Sequence, residues 1–420
     1  MESNSHDVIV IGGGPAGSTV ATLTAREGRS VVLLDRERFP RFRVGESLMP
    51  ATYWTLKRLG VLDRLKASHF PKKFSVQFFS SNGRCATPFY FSEIDPHENT
   101  QTWQVDRAEF DQILLQNSID SGVAVHQQAN VKQVLFDGPR AVGVDVEFAE
   151  GDRRRLHASV IVDASGQTAM LSRKLGLKQV DPKLQHAALY TRYRGAVRSP
   201  GKDEGATLIM HTREERSWFW YIPLPDDQVS VGVVGPMDYL VKQRVGTLQE
   251  TFDEEVALCP ALPQRIRDAE RLTAVAAIRD FSYISRQIAG DGWVLAGDAF
   301  GFLDPIYSTG VFLALTSAEN AADSINAAFA AGDFSGERLG RHGEKYVAGM
   351  EAMRKLVYAY YDPDFNFAEF LKRFPRCRED LVHLLIGNVF RRPAGELFDS
   401  MSEMCELPEP RTLAPLEPSS

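Results

Sequence analysis

A short apolar run that breaks into glycines limits what this chain can fold into more than any other feature. Asp7-Val8-Ile9-Val10-Ile11 leads into Gly12-Gly13-Gly14-Pro15-Ala16-Gly17, and a helical stretch from Ser18 to Arg26 follows and ends at Gly28. Ser30-Val31-Val32-Leu33-Leu34-Asp35 comes next. Apolar runs of this length, bounded by turn residues, read as buried parallel strands. Gly12, Gly14 and Gly17 supply G-x-G-x-x-G between strand and helix. The tight turn aims a helix N-terminus at a pyrophosphate, and Asp35 stands where a ribose hydroxyl needs an acceptor. The pattern predicts a dinucleotide-binding α/β domain.

Composition narrows the class. A chain of 420 residues holds two or three domains with sizeable cores. Its net charge of -7 argues against nucleic acid as a routine partner. The Arg153-Arg154-Arg155 cluster reads as a solvated loop. No apolar run reaches the ~18 residues of a membrane span, and Met1 to His6 has no signal-peptide character. Cys85, Cys259, Cys377 and Cys405 are far apart, which suggests reduced thiols in a cytoplasmic protein rather than a disulfide framework or a metal site.

Further segments carry recognisable signals. Asp106 is a plausible N-cap for a helix opening at Arg107, whose guanidinium could reach a pyrophosphate. Strands near Val123–Val125, Asn130–Lys132 and Ala141–Phe148 read as a small β-meander beside the parallel sheet. Two more apolar strands end in small-residue turns, at Asp163-Ala164-Ser165-Gly166 and at Gly297-Asp298-Ala299. A helix from Gly310 to about Ala330 would point its N-terminus at the cofactor. Trp218-Phe219-Trp220-Tyr221-Ile222-Pro223 holds two tryptophans at i, i+2, which leave the same face of a strand and stand side by side as a wall. After about residue 335 the chain turns helical and aromatic, with Tyr358, Tyr360, Tyr361, Phe365, Phe367, Phe370 and Phe374 close together. These read as core packing or, more sharply, as a substrate pocket or partner-docking face.

The fingerprint at Gly12, D-R-x-x-F-D at Asp106, D-A-S-G at Asp163 and G-D-A at Gly297 occur in an order that resembles the FAD-dependent monooxygenase superfamily. W-x-W-x-I-P at Trp218 and F-x-x-P-x-x-S-x-G at Phe302 to Gly310 are similar to flavin-dependent halogenase signatures, and Lys73 after Phe70-Pro71-Lys72 is similar to that family's lysine. Lys72 competes for the last assignment. The resemblance implies a Rossmann-type FAD-binding domain over residues 1–335, with an inserted, mostly antiparallel β-sheet substrate subdomain at about 70–105 and 180–285. A helical C-terminal cap over 336–406 and a flexible tail over 407–420 complete the expected α/β architecture. It places Gly12, Gly14, Ala16, Gly17, Asp35, Arg43, Glu46, Ser47, Arg107, Val131, Asp298, Pro305 and Gly310 at the FAD, and Thr309 and Gly310 at a halide. Gly45-Glu46-Ser47 resembles a segment that shifts with flavin state.

The implied chemistry uses FADH2, O2 and chloride or bromide. A halide takes oxygen from the flavin-derived oxidant, and the resulting hypohalous acid travels to the substrate. Trp218 and Trp220 would keep substrate off the flavin, Lys73 would hold the oxidant as a donor or as a chloramine, and Ser308 completes the catalytic set. Tyr307 stands where halogenases of free tryptophan carry a glutamate. That departure points to a phenolic or pyrrolic substrate, free or carried on an acyl or peptidyl carrier protein, in secondary metabolism. A single fingerprint fits a two-component enzyme in which a separate NAD(P)H-dependent flavin reductase supplies FADH2, although single-component hydroxylases also lack a second one. The rival readings are a flavin-dependent hydroxylase, a geranylgeranyl-reductase-like enzyme, and a flavin-binding sensor without turnover. The tryptophan pair argues against the first and Lys73 against the last.

Overall fold

The computed structural model describes residues 4–93, 97–214 and 216–414. Strand Ser5–Ile11 lies at the centre of a largely parallel sheet, between Arg153–Asp163 and Val31–Asp35. Trp293–Leu295 extends the sheet on one side and Ala124–Gln127 on the other, both in parallel. Every residue of Val31–Asp35 is buried, as expected of a strand covered on both faces. Helix Pro15–Arg26 covers one face together with the long helix Thr309–Ala331.

Two local expectations need correction. The predicted three-strand meander is a hairpin of Asn130–Asp137 with Arg140–Glu147, continued antiparallel onto Arg153–Asp163. The segment at Ala124–Gln127 instead pairs in parallel with Val31–Asp35. A strand beginning just after helix Arg107–Asp120 completes a βαβ crossover, which sequence periodicity does not distinguish from a meander. Arg153 to Arg155 open a strand rather than forming a loop, with their side chains exposed.

The second sheet carries Glu270–Arg271, His186–Arg194, Gln228–Pro236, Trp218–Pro223, Thr207–His211, Ser75–Phe79 and Phe89–Tyr90 in that order. It is antiparallel except where Thr207–His211 meets Ser75–Phe79. Its two faces follow the period of two. Trp218, Trp220 and Ile222 share one apolar cluster with Ile209, Ile306 and Val357, whereas Phe219 and Tyr221 pack with Leu208, Met210 and Phe252 on the other side. Helix Leu248–Leu258, opened by a Thr247/Glu250 capping box, covers that other side.

The C-terminal aromatic run is divided. Tyr358, Tyr360 and Tyr361, at the end of helix Gly343–Tyr361, pack on the tryptophan face. Phe365 and Phe370 enter the core of the parallel sheet. The expected tail is docked as far as residue 414. Arg411 Nε pairs with Glu351 at 2.9 Å, the Glu409 carbonyl accepts from Arg354, and Ala414 N donates to Arg286 O at 2.8 Å. Glu351 and Arg354 are both buried, so these partners satisfy polar groups that would otherwise be costly to bury. The rest of the expected tail, 415–420, lies outside the described residues.

Gly232 faces Trp220 across the ladder, and a Cβ there would lie 2.2 Å from the indole Cζ2. Gly232→Ala is therefore expected to cost about 1–3 kcal/mol by overpacking. It should appear as a lower Tm with a shifted tryptophan emission; unchanged emission would show that the indole does not depend on this seat.

Candidate active site

A cavity of about 510 Å3 runs from the glycine turn, between the two sheets, to the N-terminus of helix Thr309–Ala331. Of the residues expected at the FAD, at the halide or in the catalytic set, all but Gly17, Lys73 and Thr309 line it. Gly17 has a packing role, since a Cβ there would lie 1.8 Å from the Gly12 carbonyl oxygen. The third glycine thus closes the helix onto the turn. Gly14 is the N-cap of helix Pro15–Arg26, with no side chain capping it and no acid in the first turn, so its amide end is open to an anion.

The charges around this end are arranged for a dinucleotide. Asp111 is fully buried and holds two arginines: Arg107 Nε at 2.8 Å and Nη2 at 3.0 Å, and Arg41 Nη1 at 2.8 Å. Both arginines line the cavity. Sequence reading gave Arg107 but missed Arg41 and the role of Asp111, because a two-arginine clamp joins segments 70 residues apart. Asp35 accepts from Gly13 N at 2.6 Å and Glu37 N at 2.8 Å, which fixes its carboxylate at the cavity edge. Asp298 faces the cavity, and among the described residues no hydrogen bond reaches its carboxylate. Burial raises it to about 7 against the opposing charge of Arg107. A deep carboxylate facing a cavity, an uncapped helix end and two clamped arginines fit the ribityl, pyrophosphate and ribose parts of FAD.

At the other end the chain passes through Asp304, the short turn Pro305–Tyr307 and Ser308, and then enters helix Thr309–Ala331. Ser308 has a φ of 56°, in the left-handed region that non-glycine residues seldom occupy. The hydroxyl oxygen of Thr309 is buried and meets no hydrogen-bond partner among the described residues. Asp304, which sequence reading did not pick out, secures the turn. It accepts from Ile306 N at 3.2 Å, from His186 Nδ1 at 2.9 Å and from the Tyr361 hydroxyl at 3.0 Å. Tyr361 in turn accepts from the Trp218 indole N–H at 2.8 Å. Tyr307 donates to the Leu356 carbonyl, and burial pushes its hydroxyl far above the ordinary tyrosine range, so it stays neutral.

The two lysines are sharply different. Lys72 is exposed, whereas Lys73 is 2 % exposed and lies behind the cavity wall. Its Nζ donates to Ser47 Oγ at 2.8 Å and to the Leu48 carbonyl at 3.2 Å, and lies 5.5 Å from the centre of the Phe91 ring. No carboxylate pairs with it among the described residues, and burial lowers it from 10.5 to about 7. Glu46, also buried, lies 3.3 Å from Arg192, and burial raises its carboxyl above the usual range.

Comparison with known proteins agrees with this geometry. The tryptophan halogenase family matches residues 93–367, and FAD dependent oxidoreductases match residues 7–175. The chain is 32% identical to a 1H-pyrrole-2-carbonyl-[peptidyl-carrier protein] chlorinase of Pseudomonas fluorescens, over 96% of this chain and 94% of that one. It is 31% identical to the corresponding brominase of Pseudoalteromonas luteoviolacea, over 93% of each. The structure of the myxobacterial chondrochloren halogenase CndH superposes with a TM-score of 0.79 at 34% identity, covering 94% of this chain and 92% of that one. With a family match over more than half its length and full-length relatives of the same activity, the chain belongs to the tryptophan halogenase family and is a flavin-dependent halogenase that uses FAD, dioxygen and a halide.

Proposed function

We propose that the substrate is an electron-rich ring, a pyrrole-2-carbonyl group presented on a peptidyl carrier protein, and that Lys73 delivers the halogen to it. The observation that carries the mechanism is Lys73, buried beside the cavity with two oxygen acceptors and no acid. The substrate class is supported by the two carrier-protein relatives and by Tyr307, a neutral residue where an acid would assist a less reactive ring.

Reduced FAD, held in this cavity, would supply the two electrons that bring dioxygen to the peroxide level, the oxidant that takes a halide to hypohalous acid. The chain supplies the rest. The first backbone N–H groups of helix Thr309–Ala331 and the unpartnered Thr309 hydroxyl bind the halide. Trp218 and Trp220 keep the ring away from the cofactor. A neutral Lys73 amine uses its two N–H bonds on Ser47 and Leu48 and keeps its lone pair for the halogen. The amine and hypohalous acid give an N–halogen bond and water. The ring then takes the halogen and loses its proton, which returns to the lysine nitrogen. A separate flavin reductase supplies the reduced cofactor, consistent with one dinucleotide fingerprint in the chain.

The assay supplies a reductase, NADH, FAD and chloride or bromide to pyrrole-2-carbonyl-carrier protein, free pyrrole-2-carboxylate, a phenol and tryptophan. Carrier-bound pyrrole should be halogenated and tryptophan left unchanged; turnover of the free acids alone would remove the carrier from the proposal. Lys73→Ala is expected to lower product by at least ~100-fold while reduced flavin is still oxidised. Product persisting at the wild-type rate would show that Lys73 is not the delivering group.

Lys73 also makes a prediction for stability. Its folded value, about 7, lies below the unfolded value near 10.5, so folding favours the neutral amine. Between these values the unfolded chain binds the extra proton, and stability rises with pH by up to about 1.4 kcal/mol per unit. Below pH 7 the cost of burying the charge is fully present. Lys73→Met should therefore raise Tm most below pH 7, with the gain fading towards pH 10.5. A gain that does not vary with pH would show that the lysine titrates normally.

A further inference from the structure

Two hydroxyls stand between the cofactor cavity and Lys73. Ser47 and Thr207 both line the cavity, and Lys73 does not. Ser47 Oγ accepts from Lys73 Nζ at 2.8 Å and lies 2.9 Å from Thr207 Oγ1. Thr207 Oγ1 accepts from Gln104 Nε2 at 2.8 Å. The same nitrogen donates to the Gly205 carbonyl at 2.9 Å, and a carbonyl can only accept, which fixes the orientation of the amide.

Counting protons leaves one donor over. Each oxygen of the pair already accepts a hydrogen bond, one from Lys73 and one from Gln104. The pair owns two O–H bonds, and the bond between them uses one, whichever residue donates. The other has no acceptor among the described residues, and the open space that both residues face is the cavity. Leaving a buried donor unmet costs about 1–3 kcal/mol, so this O–H favours a guest that can accept from it. The neighbouring wall is apolar, made by Ile209, Trp218, Trp220 and Ile222.

We propose that Ser47 and Thr207 are the hand-over point for hypohalous acid: their free O–H binds the oxygen of the acid and holds the halogen towards the Lys73 amine. The proposal rests on the delivering role given to Lys73. In the hand-over the nitrogen lone pair forms the N–halogen bond as the oxygen–halogen bond breaks. The oxygen leaves as water with a proton from the amine, and no further oxidant or reductant is consumed. The hydroxyl stabilises the departing oxygen, and Ser47 fixes the direction of the amine. Ser47, expected from sequence at the cofactor, lines the cavity, and its hydroxyl is engaged by Lys73 and Thr207. Thr207 had no signal, being one threonine in a β-strand.

The first test needs no cofactor. Flavin-free protein is treated with a limiting equivalent of hypochlorous acid, and the share of chlorine on Lys73 is read by peptide mass spectrometry. Thr207→Val, which removes the hydroxyl and keeps the shape, should lower that share about tenfold, and Thr207→Ser should restore it. In the complete system, Thr207→Val should raise the fraction of hypohalous acid caught by an added scavenger relative to halogenated product. A folded Thr207→Val protein with an unchanged share on Lys73 and an unchanged scavenger fraction overturns the hand-over. Lys73→Ala separates the two readings: if it still halogenates, the delivering role fails. If it does not, and Thr207→Val partitions like wild type, only the hand-over fails. Should Thr207→Val not fold, Ser47→Ala with Ser47→Thr as its rescue is read by the same criteria.

Discussion

Lys73 is taken out of water with no carboxylate to meet it, and several features of the surrounding chain follow from that. An ammonium buried in this way costs several kcal/mol, so the site is stable in proportion to how well it accepts the neutral amine. Two oxygens held at fixed positions achieve this, and the backbone explains why they are fixed. Strand Lys72–Lys73 pairs with Thr102–Trp103. On the other side of that same strand, Leu48 N donates to Trp103 O at 3.1 Å, Val105 N donates to Glu46 O at 2.7 Å, and Ser47 bridges Gln104. The segment carrying Glu46 and Ser47 therefore lies beside the cofactor cavity and shares a partner strand with the lysine. A change at the cofactor that moves this segment moves the acceptors of the amine with it.

A second buried network joins the remaining parts. Asp304 accepts hydrogen bonds from helix Gly343–Tyr361 through Tyr361, from the antiparallel sheet through His186, and from its own turn through Ile306 N. Because Tyr361 also accepts from Trp218, the indole wall and the turn before helix Thr309–Ala331 are joined through one carboxylate. A fully buried carboxylate is tolerated because donors from three directions meet it. Helix Gly343–Tyr361 is thus tied to the tryptophan face through Tyr361, and the aromatic run divides between that contact at Asp304 and Phe370 in the core of the parallel sheet.

What the sequence made legible was local. The glycine turn, the apolar strands, the Asp106 cap and the period of two through Trp218 to Ile222 each depend on residues a few positions apart, and each is where it was expected. What escaped depends on chain segments meeting at long range. The clamp of Arg41 and Arg107 on Asp111, the pairing of Ser47 with Thr207 across 160 positions, and the meeting of His186 with Asp304 leave no periodic trace. The error at Ala124–Gln127 has the same origin: its residues say strand, but only the sheet order says parallel. The docking of residues 409–411 was not legible because a Pro- and Glu-rich composition does not reveal that the buried Glu351 and Arg354 take partners there.

The acids near the tryptophan face bear on how the reaction ends, because a halogenated ring must lose a proton to something. Tyr307 occupies the position of the expected acid and is neutral, its hydroxyl committed to Leu356. Asp304 is a carboxylate, but its oxygens are taken by Tyr361, His186 and Ile306 N. Glu46 is engaged by Arg192 and by Gly45 N. Lys73 has no such commitment on its lone pair, so under the delivering role proposed for it the nitrogen that gives up the halogen is left as a free base. In that proposal the lysine would also accept the ring's proton and return to its starting state without a carboxylate. That economy demands a ring already rich enough in electrons to attack an N–halogen bond unaided, as pyrroles and phenols are and less activated rings are not.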